Sequence, residues 1–217
     1  MILFVQKYTT GNETRDAELA TCAAENRACG FFDEIVEVDG NEKRWRYVDF
    51  FDLAAEKYVG QQCVLANSDI SFRHPSCELL RGVVSRTTLV ALTRWHDSVA
   101  PWMIGHYEGY RFFSGTQDVW GFVGGSFAGM GDIPLGEPGC DCRIVAEIAM
   151  SGATVWNPAL TIKTMHVHEE LNELTRGSPA GTYGYTELST VEGIGGVLLK
   201  SYPDSQLIQY VKRARVS

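Results

Sequence analysis

The chain has 217 residues, of which 45% are hydrophobic and 11% are aromatic, so it can bury a large core as one domain or two intimate lobes. Its net charge of -8 and its pI near 5.1 argue against nucleic acid as the main partner. No apolar run approaches the roughly 20 residues of a membrane span and no signal peptide is expected, which predicts a cytoplasmic protein.

The first third of the chain predicts alternating strands and helices. Strands are expected over residues 2–6, 34–38 and 63–66, and helices over residues 14–29 and 47–59. Two strand–helix units that lead into a third strand are typical of a doubly wound, nucleotide-binding sheet. The chain contains neither a P-loop nor a G-x-G-x-x-G motif, so the phosphates of a nucleotide must be held in another way.

The third predicted strand is an apolar run that stops at a polar turn. Residues 63–66 are all apolar, as in a strand covered on both faces, and Asn67, Ser68 and Asp69 follow directly. Ligands of open α/β sheets collect beyond the carboxyl ends of such strands, so Asp69 stands where a metal–phosphate site would lie. The alternative interpretation is that these three residues are ordinary turn formers.

The rest of the chain predicts shorter elements of both kinds. In chain order they are a helix over residues 77–84, strands over 87–95, 111–113 and 119–123, a helix over 141–150, and strands over 154–156 and 160–167. The aromatic and glycine-rich stretch from 102 to 127 indicates a second lobe with ligand-facing loops, or else a plain aromatic core. Residues 177–184 are predicted to be a mobile loop, and the chain ends in a basic, solvated tail.

The six cysteines are expected to be reduced thiols, because a chain of this size needs no disulfide staples. Cys140 and Cys142 form no zinc site with a second Cys/His pair at the usual spacing. The sequence therefore predicts neither disulfides nor structural zinc.

Five short strings occur in a characteristic order along the chain. They are Ala-Asn-Ser-Asp-Ile at 66–70, Leu-Thr-Arg-Trp at 92–95, Ser-Gly-Thr-Gln-Asp-Val-Trp at 114–120, Pro-Gly-Cys-Asp-Cys-Arg-Ile at 138–144 and Ile-Lys-Thr-Met-His-Val-His at 162–168. This series resembles the small GT-A-fold glycosyltransferases of viruses and bacteria, among them a chlorella-virus enzyme of capsid-glycan biosynthesis. The resemblance implies one α/β catalytic domain over residues 1–217, with a mixed, mostly parallel central sheet flanked by helices. Its nucleotide-binding lobe would span about 1–72 and its acceptor lobe about 73–217.

The activity that the resemblance implies is metal-dependent transfer of a sugar, with inversion, to a glycan or another hydroxyl acceptor. The donor would be a nucleotide sugar, with a UDP-sugar favoured. Asp69 would bind Mn²⁺ or Mg²⁺ as the carboxylate of a D-x-D-type motif, in which Asn67 takes the first position. An imidazole from His168 or His166 would favour Mn²⁺ over Mg²⁺. The alternative is that both histidines are surface residues of a strand.

The predicted catalytic base is Asp141, with Asp118 as the second candidate. Asp141 follows a flexible glycine at the start of a helix, and inverting GT-A enzymes keep their base in the same setting. One carboxylate opposite the leaving group suffices to accept the proton of an acceptor hydroxyl. Aspartate is also favoured at helix N-termini for capping alone, and this is the competing interpretation.

The remaining candidates are polar or aromatic residues expected to bind the donor and the acceptor. For the nucleotide and its diphosphate they are Tyr8, Asn12, Arg15, Asp39, Arg44, Asn67 and Ser68, and for the sugar and acceptor side Arg94, Trp95 and Gln117. Arginine suits the diphosphate because it binds such groups in bidentate fashion, and Asp39 suits a nucleoside hydroxyl or amide. Any of the charged residues could instead be a plain surface charge.

Three other functions compete with sugar transfer. A nucleotide-sugar phosphohydrolase would use water as the nucleophile on the same scaffold. A carbohydrate-binding module without catalytic activity is suggested by the aromatic residues Trp102, Tyr107, Tyr110 and Trp120. A phage-type transferase acting on DNA bases is disfavoured by the acidic balance of the chain.

Overall fold

The structure is a computed structural model that describes most of the chain. The described residues are 1–96, 100–101, 105–108, 111–167, 181–193, 195–202 and 207–212. Within these ranges helices occupy four segments: α1 (Glu13–Ala28), α2 (Tyr47–Lys57), α3 (Leu80–Val83) and α4 (Cys140–Met150), with a 3-10 helix over Pro75–Leu79 directly before α3.

Strands occupy fifteen segments of the described residues. They are β1 (Ile2–Lys7), β2 (Glu34–Asp39), β3 (Gln62–Ala66), β4 (Ile70–Ser71), β5 (Thr88–Leu92), β6 (Trp95–His96), β7 (Ala100–Pro101), β8 (Gly105–Glu108), β9 (Arg111–Ser114), β10 (Val119–Val123), β11 (Thr154–Trp156), β12 (Met165–His166), β13 (Gly181–Glu187), β14 (Gly196–Tyr202) and β15 (Leu207–Lys212).

The central sheet has six strands in the order β11-β5-β10-β3-β1-β2. Five of them run parallel to one another, and only β10 is antiparallel to its neighbours β3 and β5. The predicted mixed, mostly parallel sheet flanked by helices is therefore confirmed as an α/β architecture.

The side chains of the central strands alternate between two apolar clusters, as the period of two in a strand requires. On one face Phe4 packs with Phe51 of α2 and Ile144 of α4, and on the other face Leu3 belongs to the cluster that contains Leu80 of α3. Both faces are buried, which explains why residues 63–66 form an uninterrupted apolar run. This burial fixes the sheet and hence the position of its edges.

Two smaller sheets complete the fold. One has the order β4-β12-β6-β7, and the other has the order β15-β14-β13-β9-β8. Gly184 of β13 lies so close to α4 that an added Cβ would approach the backbone nitrogen of Ala146 to 2.8 Å. A glycine is needed there because no larger residue would let the strand pack against the helix.

The structure corrects several predicted boundaries. The strand expected over 87–95 is two strands of different sheets, since the chain leaves the central sheet at Thr93 and Arg94. The strand expected over 160–167 is limited to β12, and residues 181–184 of the predicted mobile loop belong to β13. Residues 119–123, assigned to the second lobe, form β10 in the middle of the central sheet, so the expected boundary near residue 72 does not divide that sheet.

All six cysteines are free thiols, as expected. All but Cys29 are buried, and burial raises the pKa of Cys22, Cys63 and Cys77 to about 12. Among the helices that the structure describes, none combines the length and the apolar character needed to cross a bilayer.

Candidate active site

A polar cluster occupies the edge of the central sheet where the parallel strands end. Asn67 follows β3 and Arg94 lies two residues beyond β5. Because β10 is antiparallel, its beginning meets the ends of β3 and β5, and Val119 pairs with both Ala66 and Leu92. Asp118, the residue before β10, is thereby brought to the same edge, where ligands of open α/β sheets bind.

Asp69 is the centre of one group of charges in this cluster. Its side chain is only 15% exposed, and its Oδ2 accepts a hydrogen bond from the guanidinium of Arg15, which lies in the first turns of α1. His166 Nε2 lies 3.2 Å from the same oxygen. The antiparallel register of β4 and β12 causes this contact, since it sets His166 opposite Ile70, the neighbour of Asp69.

These partners decide the ionisation of Asp69. Burial alone would raise the pKa of the carboxyl, but His166 and Arg15 outweigh burial and hold the pKa well below its usual range. Burial opposes the charge of Arg15 as well, yet the contacts with Asp69 and Glu18 raise the pKa of the guanidinium further. Asp69 is therefore a permanent anion at neutral pH, beside a permanent cation.

Asp118 is the centre of a second group. Its Oδ1 accepts hydrogen bonds from Arg94 Nη1 at 2.8 Å and from Asn67 Nδ2 at 2.9 Å. Its backbone is held on both sides, since Asp118 donates to the carbonyl of Leu92 and accepts from the backbone nitrogen of Asn67, each at 3.0 Å. With a side chain only 6% exposed, Asp118 is fixed in one position and orientation.

Asp141 lies in the first turn of α4 and is adjacent to this second group. Its Oδ2 accepts from the backbone nitrogen of Gln117 at 3.2 Å and its Oδ1 from that of Cys142 at 3.0 Å. The helix N-cap is Gly139, which has a positive φ of 74° and provides no side chain. Asp141 is therefore not the N-cap residue, although one of its oxygens does bind a backbone N–H of the first turn.

The environment of Asp141 opposes its ionisation. Burial is the larger cause and the negative charge of Asp118 the second, and together they raise the pKa of Asp141 to about 7. The backbone N–H groups of Gln117, Cys142 and Asp141 itself act in the opposite direction but are too weak to restore the ordinary value. Unlike Asp69, this carboxyl exchanges its proton near neutral pH.

Three oxygens of the cluster are buried and accept no hydrogen bond from any residue that the structure describes. They are Oδ1 of Asp69, Oδ2 of Asp118 and Oε1 of Gln117. Buried polar atoms without partners are rare in folded proteins and are costly. An edge that carries three such acceptors is suited to a cation or to a ligand rich in hydroxyl donors.

Among the described residues, Asp69 and His166 fit the expected metal best. A carboxylate oxygen and an imidazole nitrogen are suitable ligands of Mn²⁺, and Oδ1 of Asp69 has no donor of its own. Within that described part of the chain, no group of three or more His, Cys, Asp or Glu side chains is arranged to hold a metal ion. Water or a bound ligand would therefore have to supply further ligands. His168, the other predicted ligand, lies outside the described residues.

Of three further predicted residues, Tyr8 and Ser68 lie at this cluster and Arg44 is exposed. Tyr8 belongs to the cluster, since burial first and the Asp69 carboxylate second raise the pKa of its hydroxyl against the opposing effect of Arg15. Ser68 donates its hydroxyl to the carbonyl of Gln6, which ties the Asp69 turn to β1. Arg44 is exposed and acts on Tyr8 only through its charge.

Three predicted binding residues have structural partners instead. Asn12 is the N-cap of α1 and accepts from the backbone nitrogen of Arg15 at 3.1 Å. Asp39 is exposed and accepts from the backbone nitrogen of Asn41 at 2.7 Å within the turn after β2. Trp95 is only 7% exposed and donates its indole N–H to the carbonyl of Ala159 at 2.7 Å.

Sequence reasoning missed a set of buried polar residues that connect to Asp118 and Asp141. They are Thr93, Ser114, Thr116, Asn157 and Thr186. The signal was available at Asn157, an amide that directly follows an apolar strand, as Asn67 does after β3. Thr186 carried no comparable signal, because its contact with residue 117 depends on how β13 packs.

The chain was compared with protein-family models and with curated protein sequences, and neither comparison finds a match. The resemblance to GT-A-fold glycosyltransferases therefore rests on the five sequence strings alone.

Proposed function

We propose that the protein is a metal-dependent glycosyltransferase of GT-A type, which inverts the sugar that it moves from a nucleotide-sugar donor to a hydroxyl acceptor. The observation that carries this proposal is the contrast between two carboxyls at one sheet edge. Asp69 is held ionised, whereas the pKa of Asp141 is raised to about 7. Titratable groups whose environments push their pKa values apart are the usual mark of distinct catalytic roles.

The donor side of the proposed site is built on Asp69, Arg15 and Tyr8. A divalent cation at Asp69 and His166 would neutralise the negative charge that develops on the departing diphosphate. Arg15 adds a second positive charge on the same side, and its planar guanidinium suits phosphate oxygens. A UDP-sugar is favoured by the family resemblance.

The acceptor side is built on Asp141. Its carboxylate removes the proton from the acceptor hydroxyl while that oxygen forms a bond to the anomeric carbon and the bond to the diphosphate breaks. A base with a pKa near the working pH is best suited to this transfer, because it is largely deprotonated and still basic. Asp118, held by Arg94 and Asn67, keeps the pKa of Asp141 high.

The proposal also accounts for the buried, unpaired oxygens of Asp118 and Gln117. Both side chains are at least nine-tenths buried, and in each one oxygen has no donor in the described part of the chain. The hydroxyls of a bound sugar are donors that would satisfy these oxygens. A ligand without hydroxyls would leave them unpaired, which would disfavour its binding.

A thermal-shift panel of nucleotide sugars, with and without Mn²⁺, tests the proposed function. We expect a UDP-sugar with Mn²⁺ to raise the melting temperature, because a ligand at 100 times its Kd stabilises a protein by about 2.7 kcal/mol. Product analysis with glycan acceptors then separates transfer from hydrolysis of the donor by water. If no nucleotide sugar changes the melting temperature at millimolar concentration, the proposal is wrong.

The carbohydrate-binding module without catalytic activity loses part of its support. Trp120, one of the aromatics that suggested it, is fully buried and packs edge-on against Tyr47 with 4.9 Å between ring centroids. It provides no platform on which a sugar ring can stack. The side chains of Trp102, Tyr107 and Tyr110 lie outside the described part of the chain.

A further inference from the structure

A buried hydrogen-bond network connects the five-stranded sheet to the carboxylates of Asp118 and Asp141. Its members are polar residues that are at most 9% exposed: Thr93, Ser114, Thr116, Gln117, Asn157 and Thr186. An incomplete network of this kind destabilises the folded state, because each buried polar group without a partner costs free energy in a low-dielectric interior. Apolar side chains would fill the same space without this risk, so the network calls for a reason beyond packing.

Asn157 connects two branches of the network. Its Nδ2 donates to the hydroxyls of Thr93 at 2.9 Å and Thr186 at 2.8 Å, and its Oδ1 accepts from the backbone nitrogen of Thr93 at 3.3 Å. The Thr93 branch leads directly to the next residue, Arg94, which holds Asp118. The Thr186 branch leads toward Asp141.

Thr186 transmits the second branch through its single hydroxyl. Its Oγ1 accepts from Asn157 Nδ2 and from Gln117 Nε2, the latter at 3.1 Å. Gln117 Nε2 also donates to the carbonyl of Ser114 at 2.8 Å, so the side chain of Gln117 is clamped at two points. The backbone nitrogen of the clamped residue in turn donates to Oδ2 of Asp141 at 3.2 Å.

The packing of β13 brings Thr186 to this place. Thr186 lies opposite Ser114 in the antiparallel pairing of β13 with β9. Two residues earlier, Gly184 lets the strand lie directly on α4, the helix that carries Asp141. One strand thus touches both the helix of the carboxyl and the loop that donates to it.

We propose that Thr186 is a positioning residue, whose hydroxyl fixes Gln117 and thereby the orientation of the Asp141 carboxyl toward the acceptor hydroxyl. This inference rests on the proposed function, in which Asp141 is the base. Thr186 itself touches neither substrate nor reacting atoms in this assignment. A displacement of about 1 Å in such a supporting contact can cost up to about 100-fold in rate.

The test compares Thr186→Val, which removes the hydroxyl at constant shape, with Thr186→Ser, which keeps it. Turnover of UDP-glucose, UDP-galactose and UDP-N-acetylglucosamine is measured with Mn²⁺ as UDP release, both with a panel of glycan acceptors and with water as the sole nucleophile, and UDP affinity by calorimetry. We expect kcat of Thr186→Val to fall about 10- to 100-fold, because the Asp141 carboxyl would lose its productive position. The Kd for UDP should stay within about twofold, and Thr186→Ser should retain most of the parental kcat.

Ser189→Ala serves as the matched control. Ser189 is also buried, accepts from Trp156 Nε1 at 2.7 Å and donates to the carbonyl of Asn157 at 3.2 Å, but it lies off the branch that leads to Gln117. Removal of the Ser189 hydroxyl should lower the melting temperature, while kcat per folded molecule should stay at the parental value.

Each other outcome overturns a specific statement. If the parent turns over these donors and Thr186→Val is as active as Thr186→Ser, the positioning role is refuted while the proposed function stands. A loss of UDP binding equal to the loss of kcat would also refute it, because general disruption would then be the cause. A parent that neither binds UDP nor releases it from any donor would overturn the proposed function and this inference together.

Discussion

Asp69 and Asp141 are two aspartates at the same edge of the same sheet, yet their surroundings give them opposite ionisation. Asp69 faces two potential cations, Arg15 and His166, which lower the pKa of its carboxyl despite burial. Among the described residues, the direct hydrogen-bond donors to Asp141 are backbone N–H groups, so burial first and the Asp118 carboxylate second raise its pKa to about 7. The comparison teaches that burial alone does not decide the charge of a carboxyl. The partners decide whether it attracts a cation or accepts a proton.

Asp118 shows how the two environments are kept apart. Arg94 donates to Asp118, and its own pKa is raised against burial by Asp118, Asp69 and Asp141 in that order. The guanidinium is thus committed to Asp118 by a direct hydrogen bond and reaches Asp141 only as a more distant charge. Asp141 therefore remains the one carboxyl of the three that lacks a cation as a direct partner among the described residues.

Asp141→Asn removes the proposed base from the pair Asp69 and Asp141, and it should have the largest effect on the transfer rate. The amide keeps the shape of the side chain but cannot accept the acceptor proton, so the transfer rate should fall about 10²- to 10⁴-fold. UDP affinity and the melting temperature at pH 7 should stay close to parental, since the amide oxygen can still accept one backbone hydrogen bond. Steady-state kinetics and calorimetry measure these quantities.

Glu147→Gln is a control on the same helix, because its Oε1 accepts from the backbone nitrogen of Gly131 at 2.8 Å and not from a residue of the polar cluster. This variant should transfer sugar at the parental rate. An Asp141→Asn enzyme with near-parental activity would reduce Asp141 to a residue of the first helical turn.

Asp69→Asn breaks the other end of the comparison. A neutral amide cannot replace the ionic bond to a divalent cation, so Mn²⁺-dependent activity should fall about 10²- to 10³-fold, equivalent to about 3–4 kcal/mol. Stability should also fall, by about 1–3 kcal/mol, because Arg15 loses one charged partner and keeps Glu18 at 3.0 Å. Activity is measured over a Mn²⁺ titration, and stability by denaturant unfolding.

The control for this variant is Asp132→Asn, which removes an exposed carboxylate paired with Arg46 outside the cluster. It should leave both the Mn²⁺ dependence and the activity unchanged. Full activity of Asp69→Asn in the presence of a chelator would remove the metal from the proposed mechanism.

Arg15→Ala sharpens the comparison by removing the cation that Asp69 has and Asp141 lacks. If the guanidinium also reaches the diphosphate, the variant should bind UDP more weakly by about 1.5–3 kcal/mol, which is about 10- to 150-fold in Kd. Arg27→Ala on the same helix is the matched control, because Arg27 pairs with Glu37 at an exposed position. Equal UDP affinity in both variants would limit Arg15 to the support of Asp69.

The architecture was largely predictable because its signals are local. Local apolar patterns predicted the first three strands and the first two helices to within two residues. The antiparallel placement of β10 and the split between β5 and β6 were not predictable, since both depend on pairing between distant segments. Hydrophobic periodicity records which face of a strand is buried, but not which strand is its neighbour.

The site was predictable only in part, for a related reason. Asp69, Asp118 and Asp141 are marked by strand ends and a helix start, and the fold brings them to one edge. Trp95 carried the same kind of signal, but its indole is buried against a carbonyl, which no sequence pattern shows. Asn12 fitted a phosphate-binding loop as well as an N-cap, and the cap is what the backbone required.

Asp118→Asn should have the smallest effect of these variants. It should shift the pH dependence of activity, and so test how Asp118 makes Asp141 differ from Asp69. Asp141 acts as a base when it is deprotonated, so kcat/KM of the parent should rise with pH and level off above a midpoint near 7. Asp118 raises this pKa by like-charge repulsion, whereas the amide of the variant carries no charge and can still accept from Arg94. The midpoint should therefore move down, by about one pH unit, since burial of Asp141 remains and is the larger cause. Activity at pH 6 relative to pH 8 should consequently be higher in the variant than in the parent. If Asp118 were itself the base, the same substitution would instead abolish most activity at every pH and leave no midpoint to measure. A pH series of kcat/KM on parent and variant separates these two outcomes, because one predicts a displaced curve and the other a uniformly low one.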